Sequence, residues 1–152
     1  MPSEQTACVF CAIAAGSAPA QVILQDPYAL CILDINPFSQ GHCLVIPRRH
    51  VPWWHELSAP ETASLFEIAR QGANLLMEAF QPEMVTMYAR GRRIPHTHIF
   101  LVPTRQGEVL DGFFNALERF QEAPTHLAAL GQPQALAEAA QRLLAAQKTQ
   151  QG

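Results

Sequence analysis

The chain has 152 residues, of which 49% are hydrophobic and 15% charged, a balance that suits a folded domain with its own apolar core and excludes a disordered polyampholyte. No run of about 18 apolar residues occurs, so no spanning helix is expected, and the first ten residues lack the basic start and long apolar centre of a secretory signal; a cytoplasmic protein is expected. The formal net charge of −3 opposes wide electrostatic tracking of nucleic acid and leaves room for a small anionic ligand where basic groups gather.

Apolar residues over 7–15, closed by Gly16, predict a short helix with Thr6 as its N-cap. Residues 22–25 and 28–33 read as strands joined by a hairpin turn at Asp26-Pro27. Residues 34–41 form a loop by their Asn-Pro and Gly content, and 42–47 a third strand. Ser58-Ala59-Pro60-Glu61 has the pattern of a capping box. A long helix follows to about Phe80, because Leu65, Ile68, Ala69, Leu75, Leu76 and Ala79 recur at helical spacing, and Gln81-Pro82 stops it. Residues 84–89 and 96–102 read as strands linked by a short turn around Gly91. Beyond Pro103, helices are expected over 111–120 and after Pro124 and Pro133. The sum is α+β, an antiparallel sheet of about five strands with one long helix against it, a short N-terminal helix and a helical C-terminal tail. The expected organisation is a core over 1–105 and a helical extension over 106–152 packed on the same domain.

Several residues stand out chemically. Cys8 and Cys11 lie one helical turn apart, on one helix face, whereas Cys31 and Cys43 sit in apolar runs that suit core packing. Arg48, Arg49, Arg90, Arg92, Arg93 and Arg105 make up most of the 10 Lys and Arg residues; they read equally as a solubilising surface or as a phosphate-attracting one. His96 and His98 alternate at the head of an apolar run, so a strand would put both imidazoles on one face. His42 and His50 stand at the two ends of another such run. Trp53 and Trp54 follow Pro52, and packing against the long helix is the expected role for them.

Cys8-Val9-Phe10-Cys11, then Asp34-Ile35-Asn36-Pro37, then Gly41-His42-Cys43-Leu44-Val45-Ile46-Pro47-Arg48-Arg49-His50, then Pro95-His96-Thr97-His98 occur in this order. Over roughly residues 8 to 105 the chain closely resembles the histidine-triad superfamily of nucleotidyl hydrolases and transferases. The resemblance implies a purine nucleotide conjugate as substrate, a dinucleoside polyphosphate or a nucleoside phosphoramidate. It makes His98 the nucleophile toward the α-phosphorus, with His42 and His96 as supports, a role that suits a neutral imidazole holding one ring nitrogen free. Asp34 and Ile35 match positions that meet the ribose; read by themselves they are a turn-capping Asp and a strand-end core Ile. Bacterial members with a similar Cys pair imply a structural Zn²⁺ on Cys8, Cys11, His50 and His96, a complete tetrahedral set. Two semi-buried cysteines and two solvated histidines are the plainer reading of the same four. A homodimer is also implied.

Two departures from the family pattern bear on activity. The third triad position is Phe100, whose ring cannot donate the hydrogen bond expected there, and loss of such a donor costs about 10² to 10³ in rate. The segment before the histidines, residues 87–94, is abbreviated and rich in arginine; Arg92 and Arg93 are expected either to pair with phosphate or to cap a charged hairpin. The alternative reading is therefore a zinc-stabilised nucleotide-binding protein with little or no turnover. Repair of adenylated nucleic-acid ends is disfavoured by the acidic balance.

Overall fold

A computed structural model describes residues 8–122 and 127–150. Its elements are α1 (Val9–Ala14), β1 (Val22–Gln25), β2 (Ala29–Leu33), β3 (Cys43–Pro47), a 3-10 turn (Trp54–Glu56), α2 (Ala59–Phe80), β4 (Met84–Tyr88), β5 (Ile99–Thr104), α3 (Val109–Glu122), α4 (Leu127–Leu130) and α5 (Pro133–Gln150). The chain divides into two compact units, Met1–Leu110 and Asp111–Gly152; the first holds the sheet and the second is helical.

The five strands form one antiparallel sheet in the order β1-β2-β3-β5-β4, the α+β architecture expected. Strands β2 and β3 are apolar at every position because both faces are covered, which is why they read as continuous runs rather than alternating ones. Ala29, Cys31, Cys43, Val45, Ile99 and Leu101 point to the face carrying α2, where Leu65, Ile68, Ala69 and Leu76 meet them. The residues between them, Leu30, Ile32, Leu44 and Ile46, point to the opposite face and pack with Cys8 and Phe10 at the start of α1. Phe100 borders this second cluster. Gly72 lets α2 approach the sheet closely: a Cβ there would lie 3.1 Å from Leu101 and 3.3 Å from the Cys31 sulfur.

The hairpin between β1 and β2 turns where Asp26 accepts the backbone N–H groups of Tyr28 and Ala29 at 2.7 and 2.8 Å. Helix α2 begins on the capping box: the Glu61 N–H donates to Ser58 Oγ, and the Ser58 N–H donates to Glu61 Oε2 at 2.8 Å. It ends at Gln81 in the left-handed conformation, with Pro82 behind it. Glu61 does a second job. Although buried, it receives Nε and Nη2 of Arg49 at 2.7 and 2.8 Å, tying the segment after β3 to the first turn of α2.

Two local expectations are corrected. Strand β5 begins at Ile99, not at residue 96. Pro95 offers no N–H, the His96 N–H is taken by Ile94 O, and Thr97 gives both its N–H and its hydroxyl to Val51 O, each at 2.7 Å; the histidine segment is thus held by a neighbouring loop before the ladder starts. Trp53 and Trp54 do not pack away either. They are 45% and 53% exposed, and the ring of Trp53 lies beside Gly91. Thr6, the expected cap of the first helix, lies outside the described residues, and Cys8 occupies the cap position of α1 without a side-chain capping bond.

The Glu61 contacts set a pH test. Hydrogen bonds from Arg49, then from the Ser58 backbone, hold its carboxyl down to about 2 from an ordinary 4.5. A carboxyl depressed in the folded state stabilises fully above its unfolded value and loses that contribution as pH falls through its folded one. Glu61→Gln is expected to lower the melting temperature at pH 7, with the gap to the native chain closing between pH 4.5 and about 2; a gap independent of pH would exclude this ion pair as the cause.

Candidate functional site

The histidine segment splits its side chains between two places. His96, fully buried, turns toward α1 and His50; His98, 7% exposed, turns into a cleft. Phe10 separates them, its ring centroid 5.7 Å from His96 and 5.2 Å from His98.

Around His96 four donors converge. The atoms of Cys8, Cys11, His50 and His96 able to bind a metal all lie within 4.8 Å of one another. Cys11 Sγ is 3.2 Å from His50 Nδ1 and 3.5 Å from His96 Nδ1, and Cys8 Sγ is 3.5 Å from His96 Nδ1. Metal–sulfur and metal–nitrogen bonds of about 2.3 and 2.0 Å at a tetrahedral angle place S and N about 3.5 Å apart, so the spacing already matches such a centre. The tautomer matches too. His96 Nε2 lies 2.8 Å from the Pro47 carbonyl oxygen; a carbonyl only accepts, so Nε2 carries the proton and Nδ1 turns its lone pair to the thiols. Burial, then the hydrogen bond and charge of Cys8, push the Cys11 thiol up to about 11, and a cation seated there would displace those protons. The four residues can hold a metal ion.

The cleft lies on the sheet face opposite α2 and has a volume of about 1150 Å³. His42 and His98 both line it, with Asp34, Ile35, Tyr88 and Phe100. His98 Nδ1 is 2.7 Å from the carbonyl oxygen of His96. By the same reasoning Nδ1 is the protonated nitrogen, which leaves Nε2 with a free lone pair, and among the described residues Nε2 has no hydrogen-bond partner. His42 has the opposite tautomer. Its Nδ1 accepts the Phe38 N–H at 3.1 Å, so Nε2 is the N–H nitrogen, and that atom is buried without a hydrogen-bond partner among the described residues. Asp34 Oδ2 stands 3.6 Å away, too far to satisfy it. Burial lowers the His42 pKa while Asp34 opposes the shift, and the ring is kept neutral. An orphaned buried donor costs about 1–3 kcal/mol, and here it borders the cleft.

The remaining expected residues are at the rim. Asp34 accepts the Asn36 N–H at 2.8 Å, and Ile35 is 90% exposed: it is no core residue but an aliphatic lip. Arg90, Arg92 and Arg93 are exposed along the segment between β4 and β5, and among the described residues none has an ion-pair or hydrogen-bond partner. Sequence reasoning passed over three contributors, Phe10, Phe38 and Tyr88. Phe38 stacks on His42 at 5.6 Å and 12°, and Tyr88 stacks on Phe100. Only Tyr88 left a signal, through strand parity once the register is known.

The model of the HIT domain matches residues 15–107. An adenosine 5'-monophosphoramidase of Schizosaccharomyces pombe is 29% identical over 130 residues, covering 82% of this chain and 93% of that one. An adenylylsulfatase of Arabidopsis thaliana is 33% identical over 111 residues, which is 70% of this chain and 56% of that longer protein. Among solved structures, a HIT family member from Bacillus subtilis superposes with a TM-score of 0.73 at 25% identity, covering 90% of this chain and 94% of its own. A zinc-bound histidine triad family protein from Mycobacterium smegmatis does so with a TM-score of 0.63 at 27% identity, covering 76% and 99%. With its family model spanning most of the sheet unit and these relatives sharing its architecture, the chain belongs to the HIT domain family.

Proposed function

We propose that the protein is a nucleotidyl hydrolase or transferase acting at the α-phosphate of a purine nucleotide conjugate, a dinucleoside polyphosphate or a nucleoside phosphoramidate. The observation that carries this reading is the pair of opposite tautomers in one cleft: a lone pair on His98 Nε2 and an unsatisfied N–H on His42 Nε2. One can attack phosphorus and the other can donate to a phosphoryl oxygen. The relatives named as an adenosine 5'-monophosphoramidase and an adenylylsulfatase support the substrate class.

In this mechanism His98 Nε2 forms a P–N bond as the bond from phosphorus to the leaving group breaks with its electron pair. The Nδ1 proton stays on the ring, donated in a hydrogen bond to the His96 carbonyl, which steadies the imidazolium. Water then attacks phosphorus and gives up a proton to solvent, the P–N electrons return to Nε2, and the nucleoside monophosphate is released with His98 neutral again. His96 supports this through its carbonyl, Asp34 and Ile35 meet the ribose, and Arg92 and Arg93 receive the charge of the leaving group. Zinc on Cys8, Cys11, His50 and His96 would be structural, because two thiolates and two imidazoles complete its coordination. A homodimer is part of this reading, as the family resemblance implies, and the exposed apolar side chains of Met84, Met87, Phe66 and Leu75 are compatible with it.

A second reading has its own observation. Phe100 offers no donor where the family pattern has one, which favours a zinc-stabilised nucleotide binder that turns over little or not at all.

Incubation with adenosine phosphoramidate and diadenosine polyphosphates separates the two. His98→Ala is expected to abolish product formation while keeping AMP binding; native protein that binds AMP but yields no more product than His98→Ala establishes the binder. Arg92→Ala and Arg93→Ala are expected to weaken kcat/KM for polyphosphate substrates about tenfold or more, as loss of a charge-assisted hydrogen bond does; unchanged affinity and rate would remove the arginines from the site. Zinc added to metal-free protein is expected to raise Tm, by the equilibrium of binding to the folded state, and Cys11→Ser is expected to lose that gain. Equal Tm with and without zinc in the native chain would exclude a structural centre.

A further inference from the structure

Phe100, at the third triad position, is stacked on a ring that has a polar end, that of Tyr88. Tyr88 is the partner of Phe100 across the β4–β5 ladder, so the two side chains leave the sheet on the same face. Their rings stack nearly parallel, with centroids 4.5 Å apart and 4° between planes. Phe100 in turn tilts against His98 at 5.0 Å and against His42 at 5.6 Å. The phenyl ring is thus a spacer that fixes the tyrosine relative to both cleft histidines. Tyr88 is half-buried and lines the same cleft as they do.

We propose, resting on the nucleotide reading above, that the Tyr88 hydroxyl contacts the ligand directly, donating to a non-bridging phosphoryl oxygen and supplying the hydrogen bond that Phe100 has no atom to give. The chemistry suits the task. A phenol is neutral at cellular pH and carries one donor hydrogen. Burial, and then the negative charge of Asp34, push its pKa up, so the hydroxyl keeps its proton throughout the neutral range. The stack restricts the ring to one orientation, so little freedom is lost when the ligand binds. On this reading the donor has moved one strand over, from β5 to β4.

Tyr88→Phe removes the hydroxyl and keeps the stack. It is expected to leave Tm unchanged and to lower kcat/KM for adenosine phosphoramidate, or AMP affinity if turnover is absent, by about ten- to a hundredfold. Phe100→His puts a donor back on β5. In the Tyr88→Phe background it is expected to recover most of that loss, and in the native background to gain far less. A native protein that binds or turns over nucleotide, with Tyr88→Phe indistinguishable from it, overturns the role of Tyr88 alone. So does a Phe100→His gain of equal size in both backgrounds, or a Tyr88→Phe chain whose loss is matched by a fall in Tm. A native protein that neither binds AMP nor cleaves its conjugates overturns the nucleotide reading and this inference together.

Discussion

One residue couples the cluster able to hold a metal ion to the cleft. His96 donates from Nε2 to the Pro47 carbonyl, turns Nδ1 to the thiols, and offers its own carbonyl to His98. Two imidazoles two residues apart therefore hold opposite tautomers, each dictated by a carbonyl oxygen that only accepts. His42 completes the set by accepting an amide N–H at Nδ1. Three histidines of one chemistry are given three different faces by backbone groups alone. Any shift of the 95–98 segment would disturb both places at once, which is why its anchoring on Val51 rather than on a strand matters.

The sheet separates stability from chemistry. On the face toward α2 the side chains are aliphatic, save for the thiols of Cys31 and Cys43, and closely packed, with Gly72 admitting the helix. On the other face the same strands supply Leu30, Ile32, Leu44 and Ile46 as a floor, and the coverage by α1 is short. A six-residue helix has too few turns to be stable by itself. Four donors joining Cys8 and Cys11 to His50 and His96 are well placed to hold it, and with it the Phe10 ring that partitions the two histidines.

Features with local causes were legible in the sequence. The capping box at Ser58 and Glu61, the stop at Gln81-Pro82 and the apolar central strands all follow from neighbouring residues, and all are present. The resemblance to the histidine-triad superfamily, rather than spacing alone, pointed to the four metal-ligating candidates that the fold brings together. What was not legible is tertiary. The late start of β5 depends on Val51 reaching Thr97, and the exposure of Trp53 and Trp54 depends on where the arginine-bearing segment passes. The Arg49–Glu61 pair joins residues whose roles, one as a surface charge and one as a helix cap, were each read without the other. Tautomers were out of reach for the same reason, since acceptors such as Pro47 O sit far along the chain from the rings they fix.

Phe100 changes the electrostatics of the cleft as well as its donor count. A phenyl ring packed against His42 and His98 is an apolar neighbour to both and lowers the local dielectric. That opposes charge on His42, in line with the downward push that burial gives its pKa, and so preserves the neutral N–H form. The same low dielectric strengthens whatever hydrogen bond His42 makes to an anionic ligand, and raises the cost of leaving that N–H unmet in the free protein. An imidazole at position 100 would add a donor but also a polar, titratable neighbour that admits water and competes for protons. Phe100 therefore favours the quality of the neighbouring donors over their number. On this argument the free His42 N–H and the apolar ring beside it suit the cleft to an anion.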